Sequence, residues 1–237
     1  MTVLPVAQIA ERIHKIRHSL PATVRLIAVS KKMPSTAIRA AYGAGIRDFG
    51  ESQVQEARIK QAELADLSDI TWHLIGHLQS NKVRKSVHQF QWVHSVDSCK
   101  LAQRLDQYAA ESTHVLNCCI QVKLRPDPSK SGFSVETLWA ALPQLGELRH
   151  LNICGLMVIP PWGLQTTETQ MIFAEAKALL DQINHCEISR LRLTELSMGM
   201  SSDYSLAIAA GSTMVRLGTI LFGDRDRKHP TDLSSNV

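Results

Sequence analysis

"VRLIAVSKKMPSTAIRAAYGAGIRDFGE", residues 24–51, decides the fold. A short apolar run stops at Lys31 and Lys32. Pro34 follows, Ser35 stands at a position typical of a helix N-cap, and a helical pattern leads through a glycine turn into the second run, "DFGE". That is one strand–helix–strand unit, and parallel strands need a crossover of this kind.

The same alternation recurs to the end of the chain. Candidate strands are "VRLIAVSK" (24–31), "DFGE" (48–51), "TWHLIG" (71–76), "WVHSVDS" (92–98), "LNCCIQVK" (116–123), "LNICGLMVI" (151–159), "LTELSMG" (193–199) and "MVRLGTILFG" (214–223). Helical stretches lie between them. "ESQVQEARIKQAELAD" follows the second strand, and "SCKLAQRLDQYAAE" places Leu101, Leu105 and Tyr108 on one face. "TTETQMIFAEAKALLDQIN" has Thr167 and Gln170 at capping-box spacing, and "SDYSLAIAAG" closes on Gly211, a natural C-cap. A further amphipathic helix, with Ile9, Ile13, Ile16 and Leu20 on one side, precedes the first strand. Eight strands alternating with helices, with no linker-like break in composition, predict an α/β fold: a single (β/α)8 TIM-type barrel over residues 1–237 with an extra N-terminal helix and a polar tail from about 226. An open doubly wound sheet is the alternative, but neither G-x-G-x-x-G nor a P-loop supports it.

Composition narrows the function. The hydrophobic share of 44% and charged share of 20% belong to an ordinary globular chain. No apolar run reaches the ~18 residues of a spanning helix, and the N-terminus lacks the order of a signal peptide, so no membrane partner and a cytoplasmic location are expected. Five cysteines without C-x-x-C spacing read as reduced thiols. A net charge of +4 suits a small anionic ligand. Without basic blocks and interleaved aromatics it does not suit nucleic acid, and "SNKVRKSVH" reads as a solvated helix face.

In a barrel the chemistry sits at the C-terminal ends of the strands, with phosphate often bound after strands 7 and 8. Lys31 and Lys32 lie at such an end. Successive strand residues face opposite sides, so at most one lysine points inward, and periodicity does not choose between them. "SMGMSSDYS" (197–205) offers hydroxyls and backbone N–H groups to an anion, and Gly218 with Thr219 supplies a second cluster on the next strand. Arg216 interrupts an apolar strand, which fits either a structural ion pair or a guanidinium aimed at a ligand. His73 is a candidate pocket wall or a satisfied core histidine. His73 and His77 are four apart but lack a third ligand, so no metal site is expected. Met157 ends strand 6 as a candidate pocket floor or as core packing. An amine, a phosphate cradle and a polar group for a ring nitrogen are together the parts of a pyridoxal 5'-phosphate site.

"AVSK", "FGES", "WHLIGHLQSNK", "HSVDS", "KSGF", "GLMVIP", "SMGMSSDY" and "IAAGSTMVRLGTILFG" occur in the order and spacing of one family. From about residue 5 to 225 the chain resembles the pyridoxal phosphate homeostasis proteins (the YggS/PROSC family), whose barrel is similar to the N-terminal domain of alanine racemase. The resemblance implies that Lys31 forms the Schiff base and Lys32 faces away. It further implies that Ser201, Gly218 and Thr219 bind the phosphate, Ser197 and Met200 line that turn, and Arg216 faces the pyridine nitrogen. Ser52 stands where the family commonly has asparagine, which puts the hydrogen bonding around the ring in doubt.

A protonated arginine at the ring nitrogen leaves the pyridine unprotonated, a poor electron sink for carbanion chemistry. A racemase also needs a second acid or base, which the resembled enzyme takes from a β-rich domain that this chain lacks. The expectation is a non-catalytic monomer that holds, buffers or delivers the cofactor, with pyridoxal phosphate-dependent apo-enzymes as partners. A weak or specialised amino-acid racemase is the alternative.

Overall fold

The computed structural model describes residues 4–186 and 191–223. The polar tail expected from about 226 lies outside the described residues. Eight parallel strands close into a ring: β1 (Arg25–Val29), β2 (Asp48–Glu51), β3 (Thr71–Leu74), β4 (Trp92–Val96), β5 (Leu116–Lys123), β7 (Leu151–Val158), β8 (Glu195–Ser197) and β9 (Met214–Leu217). A two-residue strand, β6 (Phe133–Ser134), extends β5 beside the ring. Closure comes from β9 on β1, where Leu26 pairs with Val215 and Ile27 with Arg216. The predicted barrel is therefore present, and the open sheet is excluded.

Helices alternate with the strands on the outside: α2 (Ser35–Gly43), α3 (Val54–Glu63), α4 (Val83–Gln89), α5 (Cys99–Ala109), α6 (Val135–Gly146), α7 (Thr166–His185), α8 (Tyr204–Ala209) and α9 (Thr219–Phe222). The extra helix, α1 (Val6–Ser19), packs on α2 and α9. Its Ile9, Ile13 and Ile16 are buried, each worth roughly 1.5–3 kcal/mol of apolar burial. On α4, Arg84, Lys85 and His88 are exposed while Val83 and Val87 are buried, so the basic stretch is a solvated helix face as expected.

The strands sort their side chains into two cores. Leu26 and Ala28 belong to the large layer between sheet and helices, whereas Ile27, Trp92, Cys119, Cys154, Met157 and Met214 meet inside the ring. Gly155 on β7 is paired with Glu195 on β8, and a Cβ there would lie 2.3 Å from the Glu195 carbonyl oxygen. Only glycine lets these two backbones approach so closely.

Several boundaries differ from the sequence reading. "DFGE" and "LNCCIQVK" are strands at the expected bounds. "MVRLGTILFG" is not one strand: it stops at Leu217, Gly218 turns the chain at φ −122° and ψ −78°, and Thr219 to Phe222 form a helical turn. Ser35 is the first residue of α2, with Pro34 in the cap position. At α7 the box sits two residues earlier than Thr167 and Gln170, because Glu168 accepts the backbone N–H of Gln165 (2.8 Å). Gly211 does close α8: its N–H goes to Ile208 O and that of Ser212 to Ala207 O, the paired bonds of a Schellman motif.

Candidate cofactor site

The C-terminal ends of β1, β9 and β8, three adjacent strands, converge at one side of the barrel mouth. On β1, Ile27 faces inward, and Val29 does so next to Gly218 of β9, whose added Cβ would be 3.5 Å from Val29 Cβ. Ser30 faces the helices: its hydroxyl donates to Glu51 Oε1 (2.6 Å), and its carbonyl accepts Lys60 Nζ of α3 (2.7 Å). Lys31 and Lys32 then form a turn, the first half-buried and the second exposed. Lys32 is held at φ 61°, and its N–H donates to Glu56 Oε1. Lys60 also bonds Glu51 Oε1 and Glu56 Oε1, both at 2.7 Å, so one buried ammonium ties β1, β2 and α3 under this turn. Burial pushes the Glu51 carboxyl up, against the pull of Lys60.

Between β8 and α8 the chain folds tightly on itself. Gly199 has φ 94°, and a Cβ would lie 2.7 Å from Ala207 Cβ and 3.0 Å from Tyr204 Cα, so no other residue fits without a shift. Asp203 accepts the Met200 N–H at 2.6 Å, fixing the next corner. The Ser201 hydroxyl accepts N–H groups from Gly218 (3.2 Å) and Ile220 (3.4 Å). Ser201, Gly218 and Thr219 are thereby brought together from two adjacent strands, as the motif spacing predicts.

Arg216 is buried, and its partners among the described residues are neutral. Nη1 donates to Ser197 O (2.6 Å) and Ser197 Oγ (2.7 Å), and Nη2 to Val158 O (3.1 Å). The structural ion pair allowed for in the sequence is not what holds it. Burial pushes its guanidinium down to about 10, which still leaves it charged at neutral pH. Met157 packs inside the ring beneath this level, at a position paired with Ser197. Ser52 lines a cavity of about 350 Å³ beside the mouth with His77 and Lys82.

His73 is not at the mouth. It is enclosed in the barrel interior and stacked on Trp92, with ring centroids 5.7 Å apart. Its Nε2 meets Asp48 Oδ1 (3.0 Å) and its Nδ1 meets His94 Nε2 (2.9 Å), while His94 Nδ1 meets Ser197 Oγ (2.8 Å). It reaches Arg216 only through His94 and Ser197. Burial pushes both imidazoles below their ordinary value; Asp48 pulls His73 back, whereas His73 and Arg216 lower His94 further. His77 bonds Asp97 (3.0 Å) and Ser131 (3.2 Å) instead, so the two histidines do not converge. No metal-binding cluster occurs among the described residues. Sequence reasoning missed His94 and Asp48. The available signal was the one that exposed Arg216, a titratable residue in an apolar strand.

The family profile described as "Alanine racemase, N-terminal domain" matches residues 5–226. A pyridoxal phosphate homeostasis protein of Synechocystis sp. is 55% identical over 207 residues, 87% of this chain and 94% of that protein. The chain belongs to the pyridoxal phosphate homeostasis protein family. A second member, from Pseudomonas aeruginosa, is 46% identical across 95% of this chain and 96% of its own. Among solved structures, that of family member PipY of Synechococcus elongatus with PLP bound superposes with a TM-score of 0.87 at 55% identity, covering 91% of this chain and 100% of PipY. Alanine racemase of Clostridium difficile, 13% identical with a TM-score of 0.75 over 94% of this chain and 61% of its own, shares the fold. Among the described residues no helix is long and apolar enough to cross a membrane.

Proposed function

We propose that this protein binds pyridoxal 5'-phosphate at the β1–β9–β8 side of the barrel mouth and serves its homeostasis, holding and delivering it to apo-enzymes without turnover. One observation carries the reading: adjacent strand ends present a lysine, a buried guanidinium with neutral partners, and a cluster of hydroxyl and N–H groups. These suit an aldehyde, a ring nitrogen and a phosphate. The relatives add support, since PipY was solved with PLP bound.

When bound, the cofactor supplies an electrophilic aldehyde and a conjugated ring. Lys31 offers the amine. The alternation along β1, inward at Ile27 and Val29 and outward at Ser30, favours Lys31 over Lys32. Ser201, Gly218 and Thr219 offer donors to the phosphate, flanked by Met200. Arg216 would donate to the ring nitrogen and, remaining charged, would leave that nitrogen without a proton. A ring in that state does not favour carbanion formation, which supports a carrier over an enzyme. Ser52, shorter than asparagine, would reach less far toward the ring.

Borohydride reduction of protein loaded with pyridoxal phosphate, followed by tandem mass spectrometry, tests the site. A single pyridoxyl adduct on Lys31 is expected. Adducts spread over surface lysines, Lys32 included, would refute it. Absence of turnover is read from L-amino acids in heavy water: α-deuterium above a protein-free control would restore the racemase reading.

A further inference from the structure

The buried chain from Asp48 to Arg216 runs through five side chains on five strands, and its two ends determine every hydrogen in it. A guanidinium only donates and an ionised carboxylate only accepts. Arg216 Nη1 therefore donates to Ser197 Oγ, and the serine hydrogen must go elsewhere; its other partner among the described residues is His94 Nδ1 at 2.8 Å. That nitrogen is then an acceptor, so the His94 proton sits on Nε2 and is donated to His73 Nδ1 at 2.9 Å. The His73 proton sits on Nε2 in turn and is donated to Asp48 Oδ1 at 3.0 Å.

The reverse polarity fails at both ends. A neutral His73 donating from Nδ1 would turn the lone pair of Nε2 onto the carboxylate. A doubly protonated His73 would place a cation in an enclosed interior and leave the Ser197 hydroxyl hydrogen without its acceptor. Arg25, 3.7 Å from Asp48 Oδ1 and 5.2 Å from the Trp92 ring, adds a further positive charge on that side.

We propose that Asp48, His73 and His94 are positioning residues for Arg216: with Ser197 they form a one-way hydrogen-bond chain along the barrel interior. The chain fixes both imidazoles as neutral Nε2–H tautomers and holds the guanidinium in one orientation at the mouth. The proposal rests on the reading of Arg216 as the group that meets the ring nitrogen. Its direction is set at the opposite end of the barrel, where Asp48 lines a surface cavity of about 520 Å³. Among the described residues the guanidinium's hydrogen-bond partners are neutral, so no ion-paired carboxylate competes with a ligand for it.

Two measurements test it, and the first needs no cofactor. Long-range ¹H–¹⁵N correlation spectra of the cofactor-free protein at pH 7 should show both histidines with a bare Nδ1 and a protonated Nε2. A protonated Nδ1 on either ring, or a doubly protonated His73, would overturn the chain. The second compares His94→Gln with His94→Phe after loading with pyridoxal phosphate. Glutamine can accept from Ser197 and donate to His73, whereas phenylalanine can do neither. Retention by His94→Gln within about 3-fold of wild type is expected, with at least about 10-fold weaker retention by His94→Phe, because a Ser197 hydroxyl without its acceptor no longer fixes the charged hydrogen bond from Arg216. Equal retention by both variants would overturn the positioning role. Should the wild-type protein take up no pyridoxal phosphate at all, the functional reading fails, while the spectra still decide the chain.

Discussion

Lys60 shows how much of this site depends on a residue beneath the turn that carries Lys31. It is an interior cation on α3 with three acceptors, Ser30 O, Glu51 Oε1 and Glu56 Oε1, and it ties down the turn carrying Lys31. Removing one member of a buried pair is costlier than removing both, because the remaining charge has no compensation. Lys60→Met is therefore expected to lower unfolding free energy by roughly 3–5 kcal/mol in urea titrations, and Lys60→Met/Glu51→Leu to recover part of that loss. A double variant no more stable than the single one would show that the loss does not come from leaving the Glu51 charge uncompensated. In the sequence Lys60 reads as one more charge on a polar helical stretch. Its burial follows from Glu51, which faces it from the end of β2, and helical periodicity holds no record of that neighbour.

At the scale of elements, legibility tracked whether a boundary had a local cause. "DFGE" ends against polar residues and was readable to the residue. "MVRLGTILFG" was not, because Ile220, Leu221 and Phe222 pack α9 on the same core that buries β9, so an apolar run continues through the break at Gly218. The two-residue β6 left no period to detect. Gly155 makes the dependence of one strand on its neighbour testable. A Cβ there would also lie 2.7 Å from Glu195 Cβ, so Gly155→Ala must displace β8, which carries Ser197. An overpacking cost of about 1–3 kcal/mol is expected from thermal unfolding, together with weaker pyridoxal phosphate retention. Unchanged retention in a folded variant would mean that the mouth tolerates a shifted β8.

Over the whole molecule, the eight-strand alternation made the barrel readable, but the contacts across its interior were not. Asp48, His73 and His94 lie on neighbouring strands, whereas Ser197 comes from the far side and meets His94 only because the ring is closed. The enclosed imidazoles have a global consequence. Their values are lowered on folding, so below about pH 6.5 the unfolded chain binds more protons than the native one, and stability falls as pH falls. The slope approaches ~1.4 kcal/mol per pH unit for each imidazole kept neutral. Asp48, Arg25 and Arg216 face the pair; Glu51 and Asp203, both pushed up by burial, act with the opposite sign. Thermal midpoints from pH 7.5 to 5.5 should therefore fall less steeply in His94→Gln than in wild type, a comparison in which the carboxylates cancel. Parallel slopes would show that His94 is protonated in the native state.

Closure of the ring also orders events in time. β1 and β9 are neighbours in space but nearly two hundred residues apart in the chain, the kind of pairing whose loop-closure entropy is met late in folding. Val29 and Gly218, and with them the lysine turn and the α9 amides, come together only at that step. The mouth is then absent from any intermediate that has built its helices and first strands but not joined its ends. During refolding, appearance of the bound cofactor's absorbance should lag behind recovery of far-ultraviolet circular dichroism, making ligand uptake a stopwatch for the last seam of the barrel.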